Sequence, residues 1–140
     1  MSIRDIEGYV FLCSNRTQSE CFRKRLFGLT RKYWGWVEQI EVGTPLFLFN
    51  TNSKSLFGPF HAASKGTWNI DPTAWENARP LVFPAQVRVK WNELHEIKAA
   101  HRRWNFLKDG TFCKLTRRQT NMMRNALKKA PLYDRSSFKC

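Results

Sequence analysis

Three kinds of side chain in this sequence could together hold a nucleobase taken out of its stack. The chemistry needs flat apolar faces, short polar groups for the hydrogen-bonding edge, and cations for the flanking phosphates. For the faces, Trp68 lies beside Gly66 in a stretch whose local pattern does not ask for a buried indole. It reads as one wall of a pocket, or as an indole that closes the core. Phe27 and Leu29 are candidates for the opposite wall, although such residues more often belong to the core, while Trp34 and Trp36 flank Gly35 and offer another platform or a hydrophobic anchor. Ser14, Asn15, Asn69 and Asp71 are the candidate edge readers, because hydroxyl, amide and carboxylate groups match exocyclic amines and ring nitrogens. Asp71, placed before Pro72, also reads as a helix N-cap. Lys65, Arg88, Lys90, Arg102, Arg103, Lys114, Arg117 and Arg118 are the candidate phosphate contacts. Arg117 and Arg118 fall where a helix is predicted to start, so free amides and the positive dipole end would add to their charge.

The charge balance points the same way. The chain has 140 residues with 24 Lys and Arg against 11 Asp and Glu, a net charge of +13. Such an excess opposes compaction, and a polyanionic partner is its usual reason. Up to Val87 there are 10 basic and 7 acidic side chains; from Arg88 onward there are 14 and 4. Trp91, Trp104, Phe106, Phe112 and Tyr133 are interleaved with those later charges, which implies a folded segment with an organised basic face. Nucleic acid, DNA or RNA, is the expected partner.

Catalysis is not expected. His61, His95 and His101 show no triad or metal spacing, and Glu93 and Glu96 fit an exposed turn better than an acid/base pair. Cys13, Cys21, Cys113 and Cys140 contain no C-x-x-C pair, so a zinc site would require the fold to gather the first three with His61; no metal or cofactor is expected. No apolar run reaches the roughly 18 residues that span a bilayer. Arg4, Asp5 and Glu7 stand where a signal peptide would be apolar. These features predict an intracellular protein, in cytoplasm or nucleus, with no membrane attachment.

The elements that must position these residues can be read in outline. Gly8–Ser14 is a near-continuous apolar run and predicts a central strand. Thr17 with Glu20 has the form of a capping box, and Cys21, Phe22, Arg25 and Leu26 continue at helical spacing until Gly28. Leu46–Phe49 and Ser55–His61 predict an antiparallel hairpin across a polar turn. Ala63–Val82 is a long excursion with one helical turn begun by Asp71 and Pro72. Phe83–Trp91 alternates Val87, Val89 and Trp91 against Gln86, Arg88 and Lys90, a strand with a basic outer face. Thr116 and Gln119 form a second capping box before a helix striped by Met122, Met123, Ala126, Leu127 and Ala130, which Pro131 ends. Five or six strands with two or three helices give a single α+β domain over 1–140, a curved mixed sheet or small barrel flanked by helices.

Five segments in order then resemble the plant-typical development and cell death (DCD) domain: Gly8–Cys13, Phe27–Leu29, Leu46–Leu48, Asn69–Trp75 and Pro84–Arg88. Beyond Arg88 the pattern diverges, with Glu93 where the family has proline, and Thr30 also replaces a usual proline. The resemblance implies the PUA-like group, which includes YTH and EVE domains, and a YTH-like curved sheet or barrel. That group implies nucleic-acid binding, in several members by taking a modified base, such as a methylated one, into an aromatic pocket. Phe11–Ser14 resembles the YTH strand that carries a pocket serine, and Leu115–Thr120 the segment that carries a backbone-contacting arginine. The family itself also implies a second role, a protein-interaction module in stress or cell-death signalling. A fold alone does not choose between them.

Overall fold

The apolar run at the start of the chain forms β1 (Ile6–Cys13), and the computed structural model describes residues 6–133. Its alternation covers both faces. Tyr9, Phe11 and Cys13 enter one buried cluster with Phe27, Phe57 and Phe60, whereas Val10 enters a second with Phe47, Phe49, Leu56 and Leu115. β1 pairs in parallel with β3 (Pro45–Asn50), and β3 pairs antiparallel with β4 (Leu56–Ala62), as the predicted hairpin requires.

The predicted first helix is shorter than its spacing implied. α1 covers Gln18–Arg23, and Thr17 makes no side-chain cap; its hydroxyl instead accepts the Ser14 amide at 2.9 Å. Arg25 then takes a left-handed φ of 50°. That break turns Leu26–Leu29 into β2, a fully buried strand rather than the end of a helix. A single helical turn follows, α2 (Trp34–Val37).

The excursion after β4 is not structureless. Thr67 and Trp68 form β5, which pairs with β6 (Ala85–Lys90) at Thr67↔Gln86 and Trp68↔Ala85. Within β6, Arg88 and Lys90 face outward as predicted, but Gln86 is buried. The Asp71 loop folds over it: Gln86 donates to the carbonyls of Asp71 and Phe83 and accepts the Asp71 amide at 2.8 Å.

β7 (His95–Ile97) adds to β4, and β8 (Cys113–Thr116) pairs antiparallel with β1. α3 (Arg117–Lys128) carries the predicted capping box intact, with Gln119 N–H donating to Thr116 Oγ1 at 3.2 Å and the Thr116 amide to Gln119 Oε1 at 2.9 Å. Met123 and Leu127 bury its inner face over the second cluster, while Met122, placed in the stripe by the sequence reading, is exposed. The strand order is β2-β6-β4-β3-β1-β8, giving eight strands among the described residues, more than the expected five or six. The four that the sequence reading did not locate, β2, β5, β7 and β8, have two to four residues each, too short for a period to show.

Candidate functional site

Two adjoining hollows lie between the β1–α1 turn, β2 and the 69–84 loop. One, of about 290 Å³, is lined by Ser14, Leu29, Tyr33, Leu81 and Phe83 among others. The other, of about 280 Å³, is lined by Trp68, Asn69, Asp71, Trp75 and Phe83 among others. The predicted pocket residues are therefore divided. Ser14 and Leu29 line the first hollow, and Trp68, Asn69 and Asp71 the second.

Trp75 accounts for the division. Its backbone is left-handed, with φ 57°, a conformation that L side chains adopt only when their surroundings compel it. Here the Trp75 amide donates to Glu20 Oε2 at 2.8 Å and the indole Nε1–H to the Thr17 carbonyl at 3.1 Å. Glu20, expected in a capping box, is used for this instead. The ring lies over Gly28, where a Cβ would come within 2.5 Å of it, and meets Phe83 edge-on at 5.7 Å. Trp75 ends the family-like segment Asn69–Trp75 but was not among the candidate site residues; its partner glycine, 47 positions earlier, explains it.

Several expectations change in this light. Phe27 is wholly buried, tilted against Phe11 at 5.5 Å and edge-on to Phe60 at 4.8 Å, so it belongs to the core and not to a pocket wall. Asn15 lines neither hollow. Its amide donates to Asn52 and its Oδ1 accepts from the buried Asn50, which ties the β3–β4 turn to the β1–α1 turn. Asp71 is also committed: Oδ1 accepts from the Thr73 amide and hydroxyl, and Oδ2 lies 2.9 Å from Lys24 Nζ. It closes a turn and does not cap an α-helix.

These partners hold the Asp71 carboxyl down at about 2, the Thr73 hydroxyl first and Lys24 next. A depressed folded-state pKa stabilises above the unfolded value and loses that contribution as pH falls through the folded one. Stability should thus drop between about pH 4 and pH 2, and Asp71→Asn should flatten that limb of a pH titration of the unfolding midpoint. An unchanged limb would remove Asp71 as the anchor of the loop.

Trp68 lines the second hollow and remains open to solvent. The indole is 45% exposed and stands edge-on to Trp34, with centroids 5.4 Å apart. Trp34 lines neither hollow but supports Trp68 from α2. The same turn presents Trp36 with Lys114 Nζ 4.3 Å above its ring, and Lys32 lies 5.4 Å from the Tyr33 centroid. Tyr33, which lines the first hollow, also packs on Phe112. Lys32, Tyr33 and Leu81 were not singled out in the sequence. Lys32 and Tyr33 directly precede Trp34 in the chain, so that tryptophan was their available signal, whereas Leu81 is brought in only by the fold.

The eight predicted phosphate contacts do not gather on one face. Lys114 reaches the aromatic surface. Arg88 donates to the Lys24 carbonyl at 3.4 Å, Arg117 lies 3.5 Å from Glu7 and Lys65 3.8 Å from Glu41. Arg103 stacks on Trp104 at 5.0 Å, Lys90 faces a cleft below α3, and Arg102 and Arg118 are exposed. The cause is topological. β6 and β8, which carry three of these cations, are separated in the sheet by β4, β3 and β1.

Burial holds the three described thiols toward their neutral form. Burial pushes Cys13 well up, Cys21 up to about 12 and Cys113 up to about 11. Among the described residues no group of three or more His, Cys, Asp or Glu could hold a metal ion, and no helix is long and apolar enough to cross a membrane. Arg4, Asp5 and Cys140 lie outside the described residues.

Comparison with known proteins places this geometry. The family model of the development and cell death domain matches residues 7–126. B2 protein of Daucus carota is 47% identical over 94 residues, 65% of this chain and 45% of that protein. DCD domain-containing protein NRP-B of Glycine max is 48% identical over 87 residues, 60% of this chain and 26% of that protein. The chain thus spans less than half the length of these curated relatives. Among solved structures, the YTH domain-containing protein mmi1, in a complex with RNA, superposes with a TM-score of 0.66 at 9% identity, covering 91% of this chain and 87% of that one. The fold is YTH-like: a curved mixed sheet flanked by helices.

Proposed function

We propose, for a chain that belongs to the development and cell death domain family, that this domain binds single-stranded nucleic acid on the surface formed by Tyr33, Trp34, Trp36 and Trp68. The observation that carries the reading is the exposed Trp68 indole, braced by Trp34, on whose short helical segment Lys32 lies by Tyr33 and Lys114 over Trp36. Any base has a π-face, so such a platform accepts a strand largely without regard to sequence, while the ammonium groups meet its phosphates. The RNA-bound state of a protein that shares the fold supports the assignment. The hollow walled by Leu29, Tyr33, Leu81 and Phe83, with Ser14 at its side, is the place for a base turned out of the strand, and its apolar lining suits an added methyl group.

A second reading, a protein-interaction module, draws on Trp75. An indole that occupies the space over Gly28 leaves less room for a base than an open pocket would, and the dispersed cations suit a protein partner as well.

Binding of methylated and unmodified single- and double-stranded DNA and RNA, each measured over a salt series, separates the two. The nucleic-acid reading expects single strands to bind, with log affinity falling against log salt by about 0.7 for each phosphate contacted. A methyl preference would assign the hollow. Absent or salt-insensitive binding across the panel would leave the protein-interaction reading.

A further inference from the structure

A cleft on another part of the molecule collects positive charge that the aromatic surface does not use. β4 and β6 pair at His61↔Lys90, and α3 crosses this end of β4 with Leu127 close against Gly58. Arg124 and Lys128, one helical turn apart, flank Leu127 and line the cleft together with His61, Lys90, Glu93 and His95. Its volume is about 520 Å³. Lys90 lies five residues along β6 from Ala85, the partner of Trp68, which is about 17 Å in an extended strand.

Three features of the cleft point to an anion. Lys90, Arg124 and Lys128 face a single carboxylate, Glu93, and no ion pair among the described residues joins any of the three to an acid. Arg124 lines the cleft while its Nε is shut off from solvent and has no hydrogen-bond partner, so this cation sits in the wall with part of its donor capacity unused. Burial first, then Arg124 and Lys90, lower the His61 pKa, which shows both charges bearing on one imidazole. His95 is tied through Nδ1 to the Ala130 carbonyl at 2.9 Å and so holds the far wall.

We infer that this cleft is a binding site for a phosphate group of at least two negative charges, a phosphate monoester or a pyrophosphate, held between Lys90, Arg124 and Lys128. Three cations set against Glu93 leave two positive charges, the complement of a dianion, whereas the diester of a nucleic-acid backbone carries one negative charge. The planar guanidinium of Arg124 presents a fork to two phosphate oxygens, and the two ammonium groups adapt to the rest. The group can belong to a free small molecule or to the phosphorylated end of a strand.

The test titrates the full chain with pyrophosphate, with inorganic phosphate, and with one oligonucleotide bearing or lacking a 5′-phosphate, read by calorimetry and by the ring resonances of His61. Saturable pyrophosphate binding is expected, weakened roughly tenfold or more in Arg124→Gln and in Lys90→Gln, as loss of a charged hydrogen bond requires. Lys90 is exposed on its strand, so that second variant keeps the test sound should Arg124→Gln fail to fold. Trp68→Ala should bind pyrophosphate as the parent does, which separates this site from the aromatic surface. Tighter binding of the 5′-phosphorylated strand, lost in the same two variants, would assign the group to a chain end; equal binding of the two strands would assign it to a free ligand. No saturable binding of any probe, or binding indifferent to Arg124→Gln and Lys90→Gln, would overturn the site.

Discussion

Trp75→Ala should lower the unfolding free energy by about 3–5 kcal/mol, the range for deleting a buried aromatic side chain. The indole is 2% exposed, packs on Gly28 and Phe83, and is the donor to the Thr17 carbonyl. Alanine removes the packing and one of the two hydrogen bonds to that carbonyl, which keeps the Cys21 amide, but it retains the left-handed backbone, so no strain is relieved in return. Chemical denaturation monitored by circular dichroism measures the loss. The vacated volume joins the two hollows, and added indole should restore part of the midpoint, because an apolar cavity of that shape takes an apolar ligand. A loss under about 1 kcal/mol would mean that the 69–84 loop is not held by this ring.

Gly66→Ala should be comparably damaging although it adds one methyl group. A Cβ there would fall 1.7 Å from the Val37 carbonyl oxygen, and the Gly66 amide donates to the Ile40 carbonyl at 3.0 Å, so backbone faces backbone with no side chain free to yield. Overpacking of this kind costs about 1–3 kcal/mol, and a clash with a fixed carbonyl belongs at the upper end. The displacement has a functional consequence, because Val37 ends α2 and Gly66 precedes β5. Trp34 and Trp68 would be moved apart, and strand binding should fall with stability. Gly35→Ala serves as the comparison: a Cβ there meets nothing within 4 Å, so stability should hold.

The sequence carried those parts of the fold whose signals are local. β1, the β3–β4 hairpin, β6 and α3 all announce themselves through a period of two or of 3.6, or through caps and turns, and they stand close to where those patterns put them. β2 did not, because Phe22, Arg25 and Leu26 keep a helical spacing across a break that only the left-handed Arg25 reveals. β5 is two residues long and exists because β6 is there to pair with it.

The site was legible in the same uneven way. Trp68 was singled out because its neighbourhood offered it no core to join, and it is exposed; Ser14 and Leu29 line a hollow, and their use as a base pocket is part of the proposal. Asp71 and Asn15 are committed to structural partners for a common reason. Short polar side chains in turns usually satisfy their own backbone, and the partners Thr73, Lys24 and Asn50 decide the matter. Charge was the least transferable signal. An excess concentrated along the chain is dispersed once β6 and β8 take distant places in the sheet, and the cleft shared by Lys90, Arg124 and Lys128 emerges only when α3 lies across β4.

Fluorescence anisotropy of one labelled single-stranded RNA, titrated with the parent protein and with Trp68→Ala, tests the aromatic surface most directly. Stacking on an exposed aromatic ring is worth about 1–3 kcal/mol per base, so the variant should bind roughly fivefold to a hundredfold more weakly at an unchanged unfolding midpoint. Equal affinity for the two proteins would contradict the account.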